Sequence, residues 1–256
     1  MYALPDQEFD REFAACWQAA GLHIQDCAGG KLNSWLKADL NFPILEHLSF
    51  RLGNELFYIR VEDVDDIVVG PSSREGLLSI ADGCKGQACL MPMRKTRKGW
   101  VCDLPGWGLQ DLRTGQLLHP PKFISDKLIV MTDWELNDFA VQIVRDRLKD
   151  EGRQVNSAQG NPNVSPAIWF IGDTGPEWVV VKAARYPLLE APAPTNIEEI
   201  GNYCAKLGKR GHFASVAVAS SKQFLEVSDE AIPLYRGMSM NVEYEGLELI
   251  YTDASL

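Results

Sequence analysis

Apolar positions along this chain recur with two alternating periods, and the same succession of periods occurs twice. From about Asp6 to Ala20, Phe9, Phe13, Cys16, Trp17 and Ala20 return at spacings of three and four, one face of a helix, and Gly21 offers a stop. Leu48 to Arg51 and Leu56 to Val61 read as two strands joined at Gly53-Asn54. Ser72 or Ser73 can cap a short helix running to about Asp82. Strands Ala88 to Met93 and Gly99 to Asp103 follow, around the charged turn Arg94 to Lys98, and then a short meander through Gly106-Trp107-Gly108 and Thr114-Gly115. The second half opens with Thr132-Asp133-Trp134-Glu135, a capping box in which a hydroxyl and a carboxylate each satisfy an orphan N–H. Its helix carries Leu136, Phe139, Ala140, Ile143, Val144 and Leu148 inward and stops at Gly152. A hairpin of Ala167 to Ile171 with Trp178 to Ala184, a helix from about Asn196 to Leu207, a strand Phe213 to Ala219 and a last pair within Leu234 to Ile250 complete it.

Glycine spacing ties the halves together. Gly53 matches Gly172, while Gly76, Gly83 and Gly86 match Gly201, Gly208 and Gly211 at one common offset. Gly106 and Gly115 match Gly237 and Gly246 at a slightly larger one. Glycines recur this way where backbone turns recur, because glycine adopts positive φ and tolerates close approach. The expectation is an α+β protein of two tandem α-β-β-α-β-β modules related by internal duplication, 1–121 and 122–256. The prolines of His119-Pro120-Pro121 stiffen the crossing between them.

Composition narrows the class. With 46% hydrophobic and 23% charged residues among 256, the chain is ordinary for a globular protein, and its halves are long enough to bury cores. No apolar run spans a bilayer, and Met1 to Arg11 lacks the apolar stretch of a signal peptide. The six scattered cysteines then read as reduced thiols, and the expected location is the cytoplasm without membrane contact. A net charge of −10 disfavours nucleic acid as a partner and suits a protein partner, including a second copy of the chain.

The segment Trp178-Val179-Val180-Val181-Lys182, followed by a helix and Gly211 to Val216, resembles the PD-(D/E)XK, restriction-endonuclease-like superfamily; the likeness covers mainly Thr132 to Ala219. It implies a site where two carboxylates hold Mg²⁺ and a lysine orients water. The acids are missing. Val180 stands two residues before Lys182, and Pro166, Ala167 and Ile168 occupy the preceding strand's acidic position. In the first half Tyr58 precedes Arg60 in the same way. The resemblance thus implies a degenerate fold relative without catalysis, and no cofactor. The alternative is a Mg²⁺-dependent nuclease with migrated acids, in which Glu135, Asp173 and Glu177 serve with Lys182.

Candidate binding residues are Arg60 and Lys182, at equivalent positions late in an apolar strand, and Trp107. The two cations are an equivalent pair of sites or snorkelling strand ends; Trp107 is an interface anchor or a core residue. Glu55 and Glu177 sit beyond hairpin turns and are expected in solvent, Glu135 is expected as a helix cap, and His212 at a strand edge. Cys84, Cys89, Cys102 and His119 lack the paired spacing of a zinc site. Arg94 to Lys98, beside Trp100, is the local candidate for nucleic-acid contact. Taken together, these residues point to a non-catalytic binding or assembly protein.

Overall fold

In the computed structural model, residues 11–30, 32, 34–38, 47–70, 73–223 and 231–252 are described. The chain divides into two compact units, within Pro5–Leu128 and Ile129–Leu256. The division falls beyond the 121/122 boundary read from the prolines, because the stretch after them belongs to the first unit. Pro120 is buried in a 3-10 turn, and the Asn54 amide donates to Ser125 Oγ at 2.9 Å and the Lys127 carbonyl at 2.8 Å.

The first unit runs α1 (Arg11–Cys27), β1 (Trp35–Lys37), β2 (Leu48–Leu52), β3 (Glu55–Asp63), α2 (Arg74–Gly83), β4 (Gln87–Thr96), β5 (Gly99–Cys102), β6 (Leu109–Asp111) and β7 (Leu117–Leu118). α1 buries Phe13, Cys16, Trp17, Ala20 and Ile24, as its spacing predicts, but it passes through Gly21 instead of ending there. Asp6 and Phe9 lie outside the described residues. Ser73 caps α2, its hydroxyl accepting from Gly76 N at 2.9 Å. The sheet has the order β1-β2-β3-β4-β6-β7, with β5 also pairing β4; β3 and β4 are parallel and their other partners antiparallel.

The second unit runs α3 (Asp133–Asp150), β8 (Gln154–Ala158), β9 (Ile168–Gly172), β10 (Gly175–Arg185), α4 (Ile197–Cys204), β11 (Arg210–Ser220), β12 (Met240–Glu243) and β13 (Glu248–Thr252). Its sheet has the order β12-β11-β10-β9-β8, with β13 also on β11, and β10–β11 is again the parallel pair. The fold is α+β. Both units exceed the expected α-β-β-α-β-β order: each adds a strand before its hairpin, β1 or β8, and after the second helix the first unit carries β4 to β7 and the second β11 to β13.

The parallel pairs share a register. Phe57 lies opposite Gln87 and Arg60 opposite Leu90; Val179 lies opposite His212 and Lys182 opposite Ser215, so the first strands keep the step that relates Arg60 to Lys182 and the second strands the step that relates Gly86 to Gly211. Gly86 and Gly211, at the starts of the receiving strands, leave no room for a side chain. A Cβ would meet Leu56 and Tyr58 in the first case and the Trp178 ring in the second. Gly106 and Gly237 both have positive φ, as do Gly115 and Gly246. Gly53 and Gly172 differ: Gly53 has φ +61° in its turn, whereas Gly172 sits in β9 and its missing side chain leaves space for the Glu177 carboxyl.

Alternation along β10 sets up two cores. Val179 and Val181 pack with Leu136, Ala140 and Val144 of α3, while Trp178 and Val180 pack with Ile200 and Cys204 of α4. The sheet is therefore covered by α3 on one face and α4 on the other, and its two central strands are apolar on both.

Candidate functional site

The long strand β10 carries three of the candidate residues, and its period of two separates them. Glu177 shares the α3 face with Val179 and Val181, while Lys182, five residues on, belongs to the opposite face with Val180 and Ala184. Lys182 Nζ donates to the Pro162 carbonyl at 3.1 Å, and no carboxylate stands within ion-pair distance of it among the described residues.

Glu177 is not in solvent. It is 4% exposed, its Oε2 lies 2.6 Å from His212 Nε2, and Arg210 approaches Oε1 at 3.6 Å. The parallel register causes this, since it sets Glu177 opposite Arg210 and Val179 opposite His212. His212 likewise is buried instead of lying at an exposed strand edge, its ring 5.8 Å from Phe170. A carboxylate this deep needs such partners, because removal from water penalises its charge. The pair is visible in sequence only once the register of β10 against β11 is known.

Asp173, in the β9–β10 turn, is an exposed partner of Arg153, whose hydrogen bond and charge hold the carboxyl below its ordinary range. Glu135 is the cap that the sequence predicts. Thr132 N donates to its Oε2 at 2.8 Å, and Glu135 N donates to Thr132 Oγ1 at 3.2 Å. The same carboxylate also takes Arg236 Nε at 2.8 Å, in a pair whose side chains are 7% and 2% exposed. That arginine was missed, since nothing in the local sequence marks it. Glu135 and Glu177 lie toward opposite ends of the sheet. Arg185, at the far end of β10, bonds Met131 O and Asp133, beside Glu135, and the strand from Glu177 to Arg185 extends roughly 26 Å. Glu135, Asp173, Glu177 and Lys182 are thus not brought into one site. Among the described residues no three His, Cys, Asp or Glu side chains gather as a metal-binding group.

In the first unit Arg60 Nε donates to Glu62 Oε1 at 2.6 Å, and Arg74 of α2 holds the same carboxylate through two bonds. Partial burial pushes Glu62 up, but the hydrogen bonds and charges of the two arginines outweigh it and the carboxyl titrates below its ordinary value. Arg60 is part of this internal network. Trp107 is not an exposed anchor: it is 6% exposed and stacks on Phe50 at 6.2 Å. Cys89 is buried in the core with Cys16, and burial pushes both thiols up, Cys16 to about 12. At the basic turn, Arg94 is paired with Asp65 at 3.0 Å and Asp103 at 2.8 Å, and Lys95 with Glu12.

The open chemistry of the second unit lies elsewhere. After β10 the chain crosses over β11, fixed by Tyr186 N to Val218 O at 3.0 Å and by Ala191 N to Ser215 Oγ at 2.8 Å. Between these anchors Leu188 and Leu189 stand 61% and 66% exposed. A hollow of about 330 Å³ separates them from β12, lined by Ala217, Ala219 and Val242. A second, of about 270 Å³, adjoins it at Leu189 and Glu243 and is rimmed by Glu190, Glu243, Glu245 and Glu248. No helix of the described residues is long and apolar enough to cross a membrane.

Residues 134–250, from α3 into β13, match the family described as a domain of unknown function (DUF8840). No curated protein and no solved structure matches the chain.

Proposed function

We propose that this chain is a non-catalytic, cytoplasmic binding or assembly protein built from a duplicated α+β module, a degenerate relative of the restriction-endonuclease-like fold, with a protein as its partner. The observation that carries the reading is the commitment of the candidate acids. Glu135 is closed onto Arg236 and its helix end, Asp173 onto Arg153 and Glu177 onto His212, while Lys182 lies on the other face of the strand from Glu177. Metal-assisted phosphodiester cleavage needs carboxylates converging with free oxygens beside the reacting phosphate. The shared register of the two parallel pairs supports duplication, and the exposed leucines of the crossing segment support a protein contact.

The test is reconstitution beside a cleavage assay. A partner recovered with the native protein should form a stoichiometric complex when both are purified and mixed. The chain alone, with Mg²⁺ or Mn²⁺, should leave DNA and RNA intact. Metal-dependent cleavage that disappears in Lys182→Ala would overturn the reading.

A further inference from the structure

We propose that the groove between the Leu188–Leu189 crest and the β12–β13 edge docks a segment of another protein that carries leucine-like and basic residues together. This deepens the binding role proposed above and rests on it.

The groove follows from side-chain size and from where the chain is tied down. On the α4 face of β11 the sequence places Ser215, Ala217 and Ala219, which rise little above the backbone. α4 packs over Trp178, Val180 and Phe213, and the crossing segment touches down at Val218 and Ser215, so the strip beside β12 is left uncovered. Two large aliphatic side chains then stand at its rim with more than half their surface in water. Isolated exposed leucines are common, but two consecutive ones above an apolar hollow form a contiguous patch of the kind that partners cover.

Charge selects the partner. Glu190, Glu243, Glu245 and Glu248 rim the adjoining hollow, and none of their carboxylates has a hydrogen-bond or ion-pair partner among the described residues. Elsewhere in this unit, Glu135, Asp173 and Glu177 each have an arginine within ion-pair distance. Four carboxylates without a cation gather around one hollow, and a ligand bringing lysine or arginine supplies the complementary charge. An acidic or purely apolar segment would not. Nucleic acid is repelled by the same residues. The two hollows meet at Leu189 and Glu243, so one continuous segment can fill the apolar part and the acidic part together.

The test uses the full chain and a fluorescent ten-residue peptide alternating leucine and lysine, followed by anisotropy. Control peptides carry serine in place of leucine, or glutamate in place of lysine. The leucine–lysine peptide should bind, more weakly as salt rises, and both controls should fail. Leu188→Ser with Leu189→Ser should weaken binding at least tenfold, as should Glu243→Gln, Glu245→Gln and Glu248→Gln combined. All these side chains are exposed, and circular dichroism should show the fold retained. Removing the same charge from the other unit, by Asp66→Asn, Glu75→Gln and Asp126→Asn combined, should leave affinity unchanged. Equal losses from the two triple variants, or none from the leucine pair, would mean that net charge alone holds the peptide, and would overturn the groove. A reconstituted protein complex that survives the leucine variants would also overturn it while leaving the binding role intact; metal-dependent cleavage would overturn the role itself.

Discussion

At the scale of single residues, the polar groups that matter in this structure are those whose partners come from distant sequence. Glu135 was legible as a cap because its partner Thr132 is three residues away; Arg236, which makes it a buried ion pair, was not. Removing one member of such a pair strands the other's charge in the interior, which costs about 3–5 kcal/mol. Arg236→Met, which leaves the buried Glu135 carboxylate without its arginine, should therefore destabilise the second unit by that order in urea unfolding, and adding Glu135→Gln should restore much of the loss. A double variant no better than the single one would mean the capping bond dominates. Glu62 gives a pH-dependent counterpart in the first unit. Its folded carboxyl titrates below the ordinary 4.5, so its stabilisation is present above that value and is lost as pH falls through the lower, folded one. Glu62→Gln should lower the urea midpoint near neutral pH, and the gap from wild type should close as pH falls below 4.5 and through the lower, folded value. Glu177 was expected in solvent and is buried, while Trp107, left open between interface and core, lies in the core. A residue's distance from a turn does not reveal which neighbour the adjoining strand sets against it.

At the scale of elements, the strong periodic segments were legible and the weak edge strands were not. The hairpins, the helix caps at Ser73 and Thr132 and the existence of the central strands follow from pattern, turn residues and capping chemistry, whereas the parallel pairing of β3 with β4 and of β10 with β11 does not. β1 has only three residues and a register irregularity, and β8 is polar apart from Val155 and Ala158; each pairs at a sheet margin, with too short an apolar pattern to mark a strand. Gly21 was misread as a stop because glycine weakens a helix without ending it, and the burial of Ile24 beyond it carries α1 onward to Cys27. A methyl group on Gly21 meets open space, so Gly21→Ala should stabilise the first unit by about 0.5–1 kcal/mol. Gly211→Ala should do the opposite, by about 1–3 kcal/mol, because the added Cβ runs into the buried Trp178 ring. Urea denaturation of the two variants separates these cases. A neutral Gly211→Ala would mean the strand start can shift, and that recurring glycines there do not reflect close packing.

At the scale of the whole molecule, net charge and local charge point the same way once the ion pairs are known. The sequence places four cations between Arg94 and Lys98 beside Trp100, a pattern that could have outweighed the overall −10. In the structure Arg94 is spent on Asp65 and Asp103 and Lys95 on Glu12, leaving Arg97 and Lys98 without an ion pair among the described residues. Affinity for duplex DNA grows with the number of phosphates neutralised, and each contributes a slope of about −0.9 in the logarithm of affinity against that of salt. Two free cations on an acidic protein should give a slope no steeper than about −2, and binding too weak to measure at physiological ionic strength. Fluorescence anisotropy with a labelled random duplex, titrated at several salt concentrations, reads both quantities. Tight binding with a steep slope, lost on Arg97→Ser with Lys98→Ser, would mean that the Arg94 and Lys95 pairs open to release their cations to phosphate. The preference for a protein partner would then fail at its electrostatic premise, since the turn would act as a four-cation site despite the carboxylates now holding it.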